Sequence, residues 1–152
     1  MITMLYTISD TGETGESERI MKQNHRGAYP DNWPAISYSV KETAGWRCIR
    51  CHHDNDSVSG HVLTVHHLDG DKSNCRWWNL AALCQRCHLK IQGRVIMERV
   101  WMFDHSEWFK PYVAGYYAYH HGLPDDRAFV EAHMTELIDI GCGRVTVDII
   151  RT

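Results

Sequence analysis

VHHLDGDKSNCRWWNLAALCQRCHLKIQ, residues 65–92, is the stretch on which the fold turns. A tandem histidine, His66-His67, closes a β-branched run. The turn-rich loop DGDKSN follows, and Asn79 then precedes a segment that carries Cys84, Cys87 and His88. The run HVLTV, residues 61–65, is bounded by turn formers and predicts a strand. A second short strand is expected near residues 76–78. Asn79 reads as the N-cap of a helix over LAALCQRCHLKIQ, in which Leu80, Leu83, Cys87 and Ile91 form an apolar stripe and Gly93 ends the element. Strand, loop, short strand and helix together make a ββα unit, and the expected class is α+β.

Just upstream lies WRCIRC, with Cys48 and Cys51. A two-residue gap lets both thiolates of a pair face one ion, and two pairs complete a tetrahedral site, so Cys48, Cys51, Cys84 and Cys87 predict structural zinc. The interval of 32 residues between the pairs exceeds that of a simple zinc ribbon because the strand and loop are inserted there. His52 and His53 adjoin the first pair and offer substitute ligands; the four sulfurs are preferred. Such a site is closed, and it clamps the helix to the upstream segment.

Before the knuckle, Pro34 suits a first helical turn. Ile36, Val40 and Ala44 recur at four-residue spacing, and Gly45 stops the pattern, so residues 35–44 predict a helix. Short helices are also expected over residues 19–25 and 94–101. Farther on, Pro124-Asp125-Asp126 opens a helix through about Ile138, and RVTVDII predicts a terminal strand. The aromatics of EWFKPYVAGYYAYHHG, Tyr112, Tyr116, Tyr117 and Tyr119 among them, are expected chiefly in core packing.

A chain of 152 residues fits one domain with extensions. The divisions are a polar, acidic leader (1–18), a core with the knuckle (19–100) and a helical C-terminal extension (101–152). The formal net charge is −3, but residues 17–100 carry twelve Lys/Arg against eight Asp/Glu, whereas residues 101–152 carry four against eight. The bases therefore accompany the motifs, where a phosphate backbone would need them. The acidic, aromatic C-terminal region suits a protein partner better than DNA. No apolar run approaches a membrane span, the N-terminus lacks the features of a signal peptide, and paired cysteines read as metal ligands in a reducing, cytoplasmic setting.

VHHLDGDKSN followed by WNLAALCQRCH, with the two cysteine pairs, resembles the HNH (ββα-metal) endonuclease family in its zinc-containing four-cysteine branch. The resemblance covers residues 46–92. It implies a metal-dependent endonuclease hydrolysing phosphodiester bonds of duplex DNA, of the phage or mobile-element kind, leaving 5′-phosphate and 3′-hydroxyl ends. It assigns His66 and His88 as ligands of a catalytic divalent ion (Mg²⁺, Mn²⁺ or another) and His67 as the general base. An imidazole with an ordinary pKa near 6.5 suits that task. Gln92 occupies the position where some branches carry a further ligand. Asn79, the middle letter of the motif, is expected to hold the loop that orients the base, a role compatible with capping. Asp69 and Asp71 are expected to shape the turn. The alternative is a zinc-stabilised module that binds nucleic acid or a partner protein without catalysis.

Overall fold

The computed structural model describes residues 28–92, Met97 and residues 106–151. The expected leader and the expected helices over 19–25 and 94–101 lie outside those residues, apart from Met97, which sits in a turn.

Helix α1 (Trp33–Thr43) has Pro34 in its first turn and ends before Gly45, whose φ is +61°. Val40 and Ala44 turn from it toward the main core. Two antiparallel strands follow, β1 (Leu63–His67) and β2 (Leu80–Cys84), in a register that runs from Leu63 opposite Cys84 to His67 opposite Leu80. β1 begins two residues later than expected, because His61 instead pairs with Asp56 in an isolated bridge.

The second strand differs more from expectation. Residues 77–79 form a 3-10 turn, and LAALC is β2 rather than the first half of a helix. All five residues of β2 are buried. Leu and Ala favour a helix intrinsically, by tenths of a kcal/mol per residue. Here burial decides, since α1 and the following helix both contact the strand pair. The outer edge of β2 is also closed, because the Ala82 carbonyl accepts a 3.0 Å hydrogen bond from Ile49 N–H in the knuckle. Helix α2 (Gln85–Ile91) then starts directly after Cys84, which occupies the N-cap position without a side-chain capping bond.

After Ser106 the chain is helical: α3 (Lys110–His120), α4 (Arg127–Ala132), α5 (Met134–Gly141) and α6 (Asp148–Arg151). Asp126 caps α4 by accepting from Phe129 N–H at 3.0 Å. The helix expected through Ile138 is broken at His133, whose φ of −118° is not helical, and it becomes α4 and α5. RVTVDII contributes α6 rather than a strand. Both edges of β2 are already occupied, and Val145, Val147 and Ile150 pack against the second core instead.

Helix α3 joins the two halves. Phe109 and Val113 belong to the same core as Leu63, Trp78 and Leu83, while Ala114 and Ala118 face Val130, Leu137 and Ile140. The join is tight: a Cβ placed on Gly115 would lie 2.6 Å from that of Trp78. Polar bonds reinforce it. Asp125 Oδ2 accepts from Arg76 at 2.9 Å and from the Trp78 indole at 3.1 Å, and its carbonyl accepts from the Trp77 indole at 2.6 Å. The C-terminal aromatics are packing groups in the main. Tyr117 is buried and Tyr112 and Tyr116 pack on the core, while half-exposed Tyr119 carries the Arg76 guanidinium 3.9 Å above its ring.

Candidate active site and metal centre

The knuckle and the start of α2 bring four cysteines together. The Cys48, Cys51, Cys84 and Cys87 sulfurs all lie within 4.8 Å of one another, and Cys51 Sγ is 3.7 Å from Cys84 Sγ. Zinc–sulfur bonds of about 2.3 Å place tetrahedral sulfurs about 3.8 Å apart, so the donor set fits zinc. The backbone is bent to make it so. Trp46 and His52 adopt left-handed φ values of +56° and +60° on either side of the knuckle, a conformation that L side chains adopt at a cost of roughly 1–3 kcal/mol. His53 is not drawn into the cluster, and its ring stacks on His61 at 3.8 Å.

The four thiols respond differently to their surroundings. Burial raises the Cys48 pKa, but backbone hydrogen bonds involving Cys84, Cys51 and Arg50 outweigh it and bring the thiol down to about 7. Burial, then the neighbouring sulfurs, pushes Cys87 up to about 12. Four sulfurs crowd one spot, and a divalent cation stabilises the thiolate form that this crowding disfavours. Among the described residues this is the cluster of three or more His, Cys, Asp or Glu able to hold a metal. Cys75 and Cys142 stand apart from it.

Three histidines border a separate cleft of about 450 Å³, which Asp69, Lys72 and Gln92 also line. Strand alternation puts Thr64 and His66 on one face of β1 and His67 on the other. His66 meets His88 of α2 edge to face, with ring centroids 4.5 Å apart. Thr64 Oγ1 donates to the Leu83 carbonyl at 2.9 Å and lies 2.9 Å from His88 Nδ1. A hydroxyl has one proton, and the carbonyl takes it. His88 therefore donates from Nδ1, which leaves its Nε2 with a free lone pair, the tautomer of a metal ligand.

His67 is 6% exposed and packs against Trp33 at 4.8 Å and Tyr29 at 5.7 Å. Its Nε2 is buried and has no hydrogen-bond partner. Burial lowers the pKa of all three imidazoles. His66 falls to about 4, with His88 and His67 adding to the effect and Asp69 opposing it. Burial outweighs Asp69 and Asp71 at His67, and it acts alone at His88. In all three rings burial favours the neutral form.

Asn79 is fully buried but caps no helix. Its Oδ1 accepts from Asp69 N–H at 2.9 Å, and its Nδ2 donates to Asp69 Oδ1 and to the Asn74 carbonyl, both at 2.8 Å. Asp69 and Asp71 in turn accept from the backbone two residues ahead of each, at 2.8 and 2.9 Å. The loop that leaves His67 is thereby tied to the residue that enters β2.

Sequence reasoning missed Thr64, Tyr29, Trp33 and Lys72. Thr64 was within reach of it, because a residue two before His66 on a strand shares its face. Tyr29, Trp33 and Lys72 converge only through the fold.

The architecture is a small α+β protein in which two antiparallel strands, a helix and the upstream knuckle hold a four-cysteine cluster that fits zinc, beside a histidine-lined cleft. Over 62 residues the chain is 37% identical to the Zorya protein ZorE of Escherichia coli, a stretch that covers 41% of this chain and 17% of that protein. No family model and no solved structure matches. Among the described residues no helix is long and apolar enough to cross a membrane.

Proposed function

We propose that the protein is an HNH-type endonuclease that hydrolyses DNA phosphodiester bonds, with zinc as a structural clamp and the histidine cleft as the reaction centre. One observation carries the reading: His67 Nε2 is buried without a hydrogen-bond partner, and its ring borders a cleft that also receives His66 and His88. An unsatisfied polar atom costs roughly 1–3 kcal/mol, and a binding module has no use for that cost. The partial similarity to ZorE is compatible with this reading without deciding it.

In this account His67 Nε2 takes a proton from a water molecule. The water oxygen attacks phosphorus, and the bond from phosphorus to the 3′ oxygen breaks, leaving a 5′-phosphate and a 3′-hydroxyl. His66 and His88 would hold a divalent cation, which would supply charge neutralisation for the phosphate and the departing oxygen. Two imidazole donors favour a first-row transition ion over Mg²⁺. Asn79 acts through the loop, holding His67 in place.

Supercoiled plasmid incubated with the zinc-loaded protein and Mn²⁺ or Mg²⁺ tests the proposal. Nicked or linear products with 5′-phosphate ends are expected. Retained plasmid binding without cleavage in any divalent ion would favour the non-catalytic module.

A further inference from the structure

Tyr29, Trp33 and His67 form a continuous aromatic wall on one side of the cleft. Tyr29 stacks on Trp33 at 4.8 Å with planes 28° apart, and Trp33 lies 4.8 Å from His67. The outermost ring remains open: Tyr29 is 45% exposed, and it lines the cleft together with Lys72. The Lys72 ammonium sits 4.7 Å from the Tyr29 ring centroid. Lys72 takes part in none of the ion pairs of the described residues.

If Tyr29 only shielded His67, any bulky apolar side chain would serve and the cation over the ring would have no purpose. An open π face beside a cation without a carboxylate partner offers the two contacts that a nucleotide presents, a flat base and a phosphate. The ring contact is also exchangeable, because an ammonium at an exposed ring is retained only weakly.

We propose that Tyr29 and Lys72 form a nucleotide subsite beside the cleavage centre, where an unstacked base lies on the Tyr29 ring and Lys72 moves to the adjoining phosphate. The proposal rests on the nuclease reading for the position of the scissile phosphate, and it specifies the substrate further. Bases within a duplex already stack on their neighbours, and opening one costs a few kcal/mol. The preferred DNA therefore has an unpaired nucleotide at the cut: a single strand, a gap or a flap. The cleft volume of about 450 Å³ accommodates one nucleotide.

The test is equilibrium binding by fluorescence anisotropy on the zinc-loaded full chain without added catalytic cation. The probes are a labelled single strand and the blunt duplex of the same sequence. Wild type is expected to bind the single strand more tightly. Tyr29→Leu should weaken single-strand binding about 10-fold and leave the duplex within about twofold, while Tyr29→Phe stays near wild type. Lys72→Ala should reduce the salt dependence by about one counterion. Equal affinity of wild type for the two probes overturns the proposal without any variant, and so does an equal loss on both probes in a folded Tyr29→Leu. No cutting is read in this assay. Tyr29-dependent strand binding by a protein that cleaves neither plasmid nor the single strand in any divalent ion would uphold the subsite and end the nuclease reading; cleavage with Tyr29-independent binding would do the reverse.

Discussion

Thr64 Oγ1 lies 2.9 Å from both the Leu83 carbonyl and His88 Nδ1, and so joins β1, β2 and α2 at one atom. The carbonyl consumes the hydroxyl proton, which fixes the His88 tautomer. Thr64→Val keeps the β-branched shape and removes only this link. Mn²⁺ affinity, measured by calorimetry on the zinc-loaded protein, should fall about 10- to 100-fold. The melting temperature should change little.

Zinc removal should have a larger effect than any single substitution. The knuckle holds Trp46 and His52 in left-handed conformations, and it brings four sulfurs within 4.8 Å of one another. The binding energy, on the order of 10 kcal/mol, is folding energy here. A strong chelator should collapse the thermal transition, and elemental analysis should find one zinc per chain. Binding must displace protons, above all from Cys87 with its thiol at about 12, so zinc affinity rises with pH.

Acid should destabilise the fold through His66. Its folded pKa of about 4 lies below the unfolded value near 6.5, so the unfolded chain binds the extra proton between those limits. Stability is unaffected above about pH 6.5 and declines as pH falls toward 4, by a few kcal/mol in total. His66→Gln, compared with wild type in chemical denaturation across that window, should show a shallower decline.

Asn79→Ala should cost stability and activity together. The substitution removes one acceptor and two donor bonds from a fully buried position and frees the loop behind His67. A loss of roughly 1–3 kcal/mol is expected from the groups left unpaired. Asn79→Asp retains the bond to Asp69 N–H but sets its charge against the Asp69 carboxylate, and it should not rescue activity.

The C-terminal helices should prove inseparable from the strands. A Cβ on Gly115 would sit 2.6 Å from Trp78 Cβ, and Trp78 cannot retreat because its indole is bonded to Asp125. Gly115→Ala should lower stability by about 1–3 kcal/mol through overpacking. Urea unfolding should show a single transition that shifts as a whole.

The sequence was readable where a local rule and the global fold agree. Pro34 and Gly45 bracket α1, Asp126 caps α4, and the cysteine pairs converge as their spacing implies. It misled at LAALC, where the stripe of Leu80, Leu83, Cys87 and Ile91 satisfies helical spacing across what is a strand and then a helix. A short, wholly apolar run is buried equally well in either form, and only the partner strand and the knuckle decide. The same ambiguity moved Asn79 from a cap to a loop clamp, which left its expected part in holding the loop intact. RVTVDII has strand composition, but its apolar side chains Val145, Val147 and Ile150 pack on the second core instead. The tautomer of His88, the isolation of His67 Nε2 and the Tyr29–Lys72 pair depend on contacts between distant segments and carry no local signature.

On the proposed reading His67 abstracts a proton in a cleft whose other two imidazoles would hold the cation. Single-turnover DNA cleavage with Mn²⁺ by wild type and His67→Ala tests it most directly, with zinc content and melting temperature confirming that the variant folds. Loss of a general base should slow cleavage by about 10² to 10⁴ while Mn²⁺ affinity stays within about threefold. Equal cleavage rates for the two proteins would contradict the account.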